Sequence, residues 1–131
     1  MTSTEIDLSQ WDKEMNSKTA EFEKLYQQML AESKKPNAGI EIWWRLAEAT
    51  FMVALNCTHN ECCSPGDHGE VTIKTEEALG YAKKAIEIKA DHFMANLWVA
   101  YAAGKLALLA CDMSKRVEYV SSLILTPFSL N

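Results

Sequence analysis

The chain has 131 residues, of which 48% are hydrophobic and 24% are charged, and its net charge is −5 at neutral pH. These values are ordinary for a globular domain, so composition favours neither a disordered chain nor a membrane-embedded bundle. The acidic balance argues against nucleic acid as a partner, because nucleic-acid-binding domains usually present a basic surface.

The first residues, MTSTEIDLSQW, are polar and acidic. They lack the basic start and the apolar run of a secretory signal, so we expect a cytoplasmic protein. In a reducing compartment the four cysteines are expected to be free thiols or metal ligands rather than disulfides.

The first predicted element is a long N-terminal amphipathic helix over residues 9–35. From Ser9 to Glu32 the apolar residues recur at steps of three and four, which is the period of a half-buried helix. They are Trp11, Met15, Phe22, Leu25, Tyr26, Met29 and Leu30. Pro36 and Gly39 follow and are expected to end the helix.

Residues 40–91 are predicted to form a first helix hairpin with an inserted loop over residues 56–75. Its first helix, Ile40 to Leu55, is apolar on nearly every side, so we expect it to lie between neighbouring helices. Its second helix is predicted from about Glu76 to Lys89 and has an alanine-lined packing face. The adjacent carboxylates Glu76 and Glu77 are interpreted as favourable charge at the start of that helix, not as a catalytic pair.

Residues 93–127 are predicted to form a second, divergent hairpin. The stretch from Phe93 to Cys111 is the most apolar of the chain, but Asn96, Gly104 and Lys105 interrupt it and argue against a membrane span. No alternating run with hairpin turns occurs anywhere in the sequence. The fold class is therefore all-α, with a single helical-repeat domain over residues 1–131.

The two hairpins carry a similar pattern of large and small residues. The spacing of Ala82, Ala85 and Ala90 recurs in a second set, at Tyr119, Ser122 and Pro127. Small residues let the two helices of a hairpin pack closely. The pattern resembles the tetratricopeptide repeat, a helix hairpin of about 34 residues, and implies antiparallel hairpins stacked in an alpha-alpha superhelix.

Four segments together resemble the regulator of microtubule dynamics family: EKLYQQML (23–30), WWRLAEAT (43–50), EEALGYAKKAIEIKA (76–90) and F-x-A-x-x-W-x-A (93–100). The resemblance implies a tetratricopeptide-like, microtubule-associated protein that regulates microtubule dynamics, the spindle and chromosome segregation. It places the chain in the cytoplasm, on the cytoskeleton or spindle. Because the family's helical array is longer, the chain is expected to be a short or truncated member.

The segment between the first two predicted hairpin helices is rich in soft ligands. Its cysteines and histidines are numerous enough to supply the four ligands of a tetrahedral zinc site. They are Cys57, His59, Cys62, Cys63 and His68. The usual C-x2-C spacing is missing, since Cys57 and Cys62 have four residues between them and Cys62 and Cys63 are adjacent. An inserted loop with free thiols is favoured over a zinc or redox site, and no cofactor is expected.

Two sets of residues are predicted to bind protein partners. Because Trp43 is assigned to the inward stripe, Trp44, Glu48, Phe51 and Met52 are predicted to line a groove, with simple burial of Trp44 as the alternative. The second set is a local basic patch at Lys83 and Lys84. Tubulin's outer surface is acidic, so a protein of this charge needs a basic patch or a bridging partner to bind it. Lys115 and Arg116 are a second possible patch, and a solvated helix face is the alternative interpretation of these lysines.

No catalytic motif is present, and no enzyme activity is expected. A nucleophile needs a base on a rigid scaffold, which a glycine-rich loop does not supply, and no phosphate-binding fingerprint occurs. The competing function is a generic cytosolic adaptor that holds a peptide or helix without touching tubulin. With only two hairpins, the apolar faces near the C-terminus are also expected to favour self-association.

Overall fold

The computed structural model describes residues 8–56, 69–110 and 113–124, and in these ranges every element of regular secondary structure is a helix. The six helices are α1 (Leu8–Met15), α2 (Phe22–Ser33), α3 (Ile40–Asn56), α4 (Gly69–Ile88), α5 (Phe93–Leu109) and α6 (Met113–Ile124). The predicted all-α class is confirmed.

The prediction of one long N-terminal helix is wrong, because the chain breaks into α1 and α2 between residues 15 and 22. At the break, the Asn16 side chain donates to the backbone oxygen of Asp12 at 2.9 Å, and the Ser17 hydroxyl accepts from the backbone N–H of Thr19 at 3.1 Å. Such local side-chain bonds compete with the helical ladder. The break lets Trp11 of α1 and Met29 of α2 reach one common core.

Helix α3 lies at the centre of the fold and contributes to both hydrophobic clusters. Leu46 faces the cluster formed with α1 and α2, while Ala47 faces the cluster formed with α4 and α5, and both side chains are fully buried. The expectation that α3 is sandwiched between neighbours is confirmed. Contact with these two partners accounts for the apolar residues on most sides of α3.

Helices α3 and α4 run in opposite directions. Trp43, in the first turn of α3, packs against Tyr81, in the second half of α4, with 6.0 Å between the ring centroids. The facing sides of α4 and α5 are lined with buried alanines, among them Ala78, Ala82 and Ala102. Small side chains allow the two backbones to approach closely.

Helix α4 begins at Gly69, well before the predicted start near Glu76. The first turns of α4 are anchored by Val71 and Thr75, which are both buried. The Thr75 hydroxyl donates to the backbone oxygen of Val71 at 2.7 Å, so this polar side chain is satisfied inside its own helix. The segment predicted as a loop over residues 56–75 is therefore partly helical.

Helix α6 packs on α5 and leaves apolar side chains exposed on its outer side. Met113, Val117 and Val120 follow one another at steps of four and three residues and so share one stripe of the helix. Exposed apolar stripes of this kind are common at protein contacts. Self-association of the chain stays a prediction, and this stripe is its most direct structural basis.

Candidate functional site

A cluster of charged and aromatic side chains joins α1, α3 and the start of α5. We call it the arginine cluster, and it comprises Asp12, Glu41, Trp44, Arg45 and His92. Arg45 projects from α3 and is only 8% exposed. A cationic side chain is rarely buried to this extent unless it is paired. The cluster therefore fixes the position of α1 on the rest of the fold.

Arg45 binds two carboxylates at once. Its Nε and Nη2 donate to the two carboxylate oxygens of Asp12, each at 2.9 Å, in a bidentate pair. Its Nη1 donates to the Glu41 carboxylate at 2.7 Å and to the Glu41 backbone oxygen at 3.0 Å. Bidentate charge-assisted bonds are strong and directional, so they set the orientation of α1 as well as its distance from α3.

Trp44 is packed inside this cluster. Its indole N–H donates to the Glu41 carboxylate at 3.1 Å, and the Arg45 guanidinium carbon lies 4.3 Å from the centroid of its ring. The His92 ring is also close to Trp44, with ring centroids 6.3 Å apart. Trp44 is 7% exposed whereas Trp43 is half-buried, so the assignment of Trp43 alone to the inward stripe is wrong. The reason is that α5 covers the Trp44 side of α3.

His92 connects the arginine cluster to α5. Its Nδ1 accepts a hydrogen bond from the backbone N–H of Ala95 at 3.3 Å and so caps the start of that helix. Its Nε2 faces the Glu41 carboxylate at 3.6 Å. One imidazole therefore joins the beginning of α5 to the beginning of α3.

Glu48 lies one turn beyond Arg45 on α3 and is half-buried. Burial, reinforced by the negative charge of Asp12, raises the pKa of Glu48 to about 7, although Arg45 acts in the opposite direction. Among the described residues no donor forms a hydrogen bond with this carboxylate. Glu48 is therefore a carboxyl group whose charge changes near neutral pH.

An aromatic cluster continues this surface toward the C-terminal half of α3. Phe51 stacks against Tyr101 with ring centroids 6.1 Å apart, and Trp98 lies 5.6 Å from Phe51 and 5.0 Å from Tyr101. Phe51 and Trp98 are buried, but Tyr101 is 50% exposed. The indole N–H of Trp98 finds no acceptor within the part of the chain that is described.

These residues make a continuous surface over α3, between α1 and α5. We call it the α3 face and define it by Asp12, Glu41, Glu48, Met52 and Tyr101. Of the four α3 residues predicted to line a groove, the structure places Glu48 and the half-buried Met52 at this surface. It places Trp44 and Phe51 beneath it, in the core. Partner binding by the four stays a prediction.

Lys83 and Lys84, the second set of predicted partner-binding residues, lie elsewhere. Both are exposed on α4, and the Lys84 ammonium lies 5.6 Å from the centroid of the Trp43 ring. Trp43 in turn contacts Tyr81 of α4, so Lys84 lies near the side of α3 that faces α4. The predicted partner-binding residues therefore fall on two separate surfaces.

A tyrosine network on α4 was missed by the sequence reading. Tyr26 of α2 and Tyr81 of α4 both donate to the carboxylate of Glu77, the latter at 2.7 Å, and Lys74 donates to it at 3.1 Å. Burial opposes ionisation of Glu77, but these hydrogen bonds lower its pKa below the usual value. The tyrosines were visible in the sequence, but their convergence on one carboxylate was not.

The neighbouring Glu76 makes an equivalent contact with α6. The Tyr119 hydroxyl donates to the Glu76 carboxylate at 2.7 Å, and burial together with this bond raises the pKa of Tyr119 to about 12. The interpretation of Glu76 and Glu77 as charges at a helix start is wrong, because α4 begins at Gly69. The two carboxylates instead hold α6 and α2 against α4.

The possible zinc ligands Cys57, His59, Cys62, Cys63 and His68 lie outside the described residues. Within residues 8–56, 69–110 and 113–124, no group of three or more histidine, cysteine or acidic side chains is placed to hold a metal ion. In the same ranges, no helix combines the length and hydropathy needed to cross a membrane.

Comparison with known proteins gives one family. The family model described as regulator of microtubule dynamics protein 1-3 matches residues 7–123, which include all six helices up to the last turn of α6. No curated protein and no solved structure gave a match. Because the family model covers most of the sequence, the chain belongs to the regulator of microtubule dynamics family.

Proposed function

We propose that this protein regulates microtubule dynamics by binding other proteins, with no chemistry of its own. The observation that carries the proposal is the match of the family model to residues 7–123. The charged side chains of Arg45 and Glu77 hold the helices of this scaffold together. A spindle or cytoskeletal location and a role in chromosome segregation follow from the same proposal.

We propose further that the helices form hairpins of the tetratricopeptide type. The opposite directions of α3 and α4 and the alanine-lined contact between α4 and α5 support this arrangement. In such arrays each hairpin packs on the next and exposes extended surfaces to partners. The α3 face is one surface of this kind.

Direct contact with tubulin is proposed at Lys83 and Lys84. Both lysines are exposed, and Lys84 is held over the half-buried ring of Trp43, so its ammonium group has a preferred position. An acidic partner is the expected complement of such a pair, although the net charge of −5 opposes the approach at long range. Binding should therefore be weak and sensitive to salt.

The test is co-pelleting of the purified chain with stabilised microtubules at low and moderate salt. We expect saturable pelleting that weakens as salt rises, and a loss of about tenfold in affinity when both lysines are reversed, as Lys83→Glu with Lys84→Glu. The matched control is Lys13→Glu with Lys24→Glu on α1 and α2. It changes the net charge equally and is expected to lose much less binding.

Equal losses in the two double variants would contradict a local contact, because net charge alone would then explain the binding. If the wild-type chain does not pellet at either salt, direct tubulin contact is wrong. The second candidate function, a peptide-binding adaptor without tubulin contact, would then be favoured. The observation that supports this second candidate is the partly exposed aromatic surface around Tyr101 on the α3 face.

A further inference from the structure

The α3 face has an acidic end and an aromatic end. At the acidic end, the carboxylates of Asp12 and Glu41 share the cation of Arg45 and leave one excess negative charge, to which Glu48 adds a further charge above about pH 7. Asp12 and Glu41 also keep much of their surface in solvent, with 41% and 51% of their side chains exposed. This end therefore presents excess negative charge that a ligand can reach.

The aromatic end begins one turn further along α3. Phe51 follows Glu48 by three residues, which corresponds to a rise of roughly 4.5 Å along the helix. Phe51 supports the exposed ring of Tyr101, which stacks on it with an interplanar angle of 21°. A half-exposed tyrosine supported by buried aromatic rings is a common anchor for a bound segment.

The buried indole of Trp98 adds an independent observation. Trp98 is 8% exposed and lies against Phe51 and Tyr101, yet its N–H has no acceptor among the described residues. An unpaired buried donor costs free energy. A segment bound beside Tyr101 can offer a backbone carbonyl to this donor once the Tyr101 ring moves aside.

We propose that the α3 face binds a cationic amphipathic segment of another protein, with its lysines or arginines at Asp12, Glu41 and Glu48 and an apolar side chain on Tyr101. This inference rests on the proposed binding function and names the chemistry of one partner. The negative charges at the acidic end repel an acidic segment, so a basic segment is favoured. The exposed ring of Tyr101 accounts for the apolar part, because burying it removes aromatic surface from water.

The separation of the two ends defines the segment. From Glu41 to Phe51 the rise along α3 is about 15 Å, so the cationic and apolar groups of the segment span roughly ten residues of helix. A helix in a groove presents such groups at steps of three and four residues. The partner is therefore recognised as a short basic helix with one apolar stripe.

The experiment measures binding of a fluorescent 16-residue helical peptide whose leucines form one stripe and whose remaining positions are mostly lysine. Its matched control peptide has glutamate in place of each lysine. We expect the basic peptide to bind with a dissociation constant of about 10–100 μM, and the acidic peptide not to bind. Tyr101→Ala should weaken binding by about tenfold or more.

Two further variants separate the α3 face from general charge attraction. Glu41→Gln with Glu48→Gln should weaken binding about fivefold and reduce its salt dependence. Leu108→Ala is the matched control for Tyr101→Ala, because Leu108 lies on the same helix and is 80% exposed. It should bind as the wild type does, and thermal melting of each variant confirms that it is folded.

Several outcomes would overturn the proposal: no binding of the basic peptide, equal binding of the acidic peptide, or full binding by folded Tyr101→Ala. The test is independent of tubulin contact, since the reversed Lys83 and Lys84 variant should bind the peptide normally. If microtubules pellet the chain but the peptide does not bind, this inference is wrong and the proposed function stands. The reverse result leaves the α3 face as the site of an adaptor.

Discussion

Replacing Arg45 by methionine is expected to lower the free energy of unfolding by about 2 kcal/mol. Methionine keeps most of the apolar length of the side chain but removes the bonds to Asp12 and Glu41. Breaking a fully buried ion pair costs about 3–5 kcal/mol. The expected loss in the free energy of unfolding is smaller here, because both carboxylates keep contact with solvent and can be hydrated after Arg45 is removed.

Chemical denaturation of the purified variant measures this loss, and the melting temperature should fall by roughly 5–10 °C. Amide hydrogen exchange should also show faster opening of α1, because Asp12 is its charged attachment to α3. The control is Lys35→Met, which removes an ion pair to Glu32 at the surface. Its expected cost is below about 0.5 kcal/mol, and equal effects of the two changes would contradict the role given to Arg45.

Replacing Glu48 by glutamine is expected to stabilise the protein at pH 8 and to leave its stability nearly unchanged at pH 5. The folded chain holds a proton on Glu48 up to about pH 7, whereas the ordinary pKa is 4.5. Between these values the folded state binds more protons than the unfolded state, so stability falls as pH rises. Glutamine mimics the protonated form and removes this loss.

The expected gain at pH 8 is about 2 kcal/mol, which allows for the solvent that partly reaches Glu48. Denaturation curves at pH 5, 6, 7 and 8 measure it as a difference that grows through this interval. Glu87→Gln on the exposed side of α4 is the control, since it removes one carboxylate but keeps Glu48 and therefore the wild-type pH dependence. A pH-independent effect of Glu48→Gln would contradict the burial of a charge near Asp12.

The helical class and the central place of α3 could be predicted because both follow from periodicity. A segment that is apolar on nearly every side is expected to lie between neighbouring helices, and Leu46 and Ala47 do face different cores. The break between α1 and α2 could not be predicted in the same way. It depends on hydrogen bonds made by the side chains of Asn16 and Ser17. Such local preferences are weak, and the regular apolar pattern predicts an unbroken helix in spite of them.

The candidate site was predictable in part. The periodicity of α3 identified Glu48 and Met52 as neighbours on one side of the helix, and both lie at the α3 face. The burial of Trp44 was not predictable from α3 alone, because α5 and His92 cover it from a distant part of the sequence. The pairing of Asp12 with Arg45 likewise depends on how α1 folds back, which no local pattern encodes.

Observation of single dynamic microtubules tests the central claim most directly. Growth rate and the frequencies of catastrophe and rescue are measured with purified tubulin, with and without the purified chain, over a range of concentrations. The account predicts a saturable change in at least one of these quantities, and a much smaller change with the reversed Lys83 and Lys84 variant. Unchanged dynamics at concentrations that saturate binding would contradict regulation of microtubules by this chain itself.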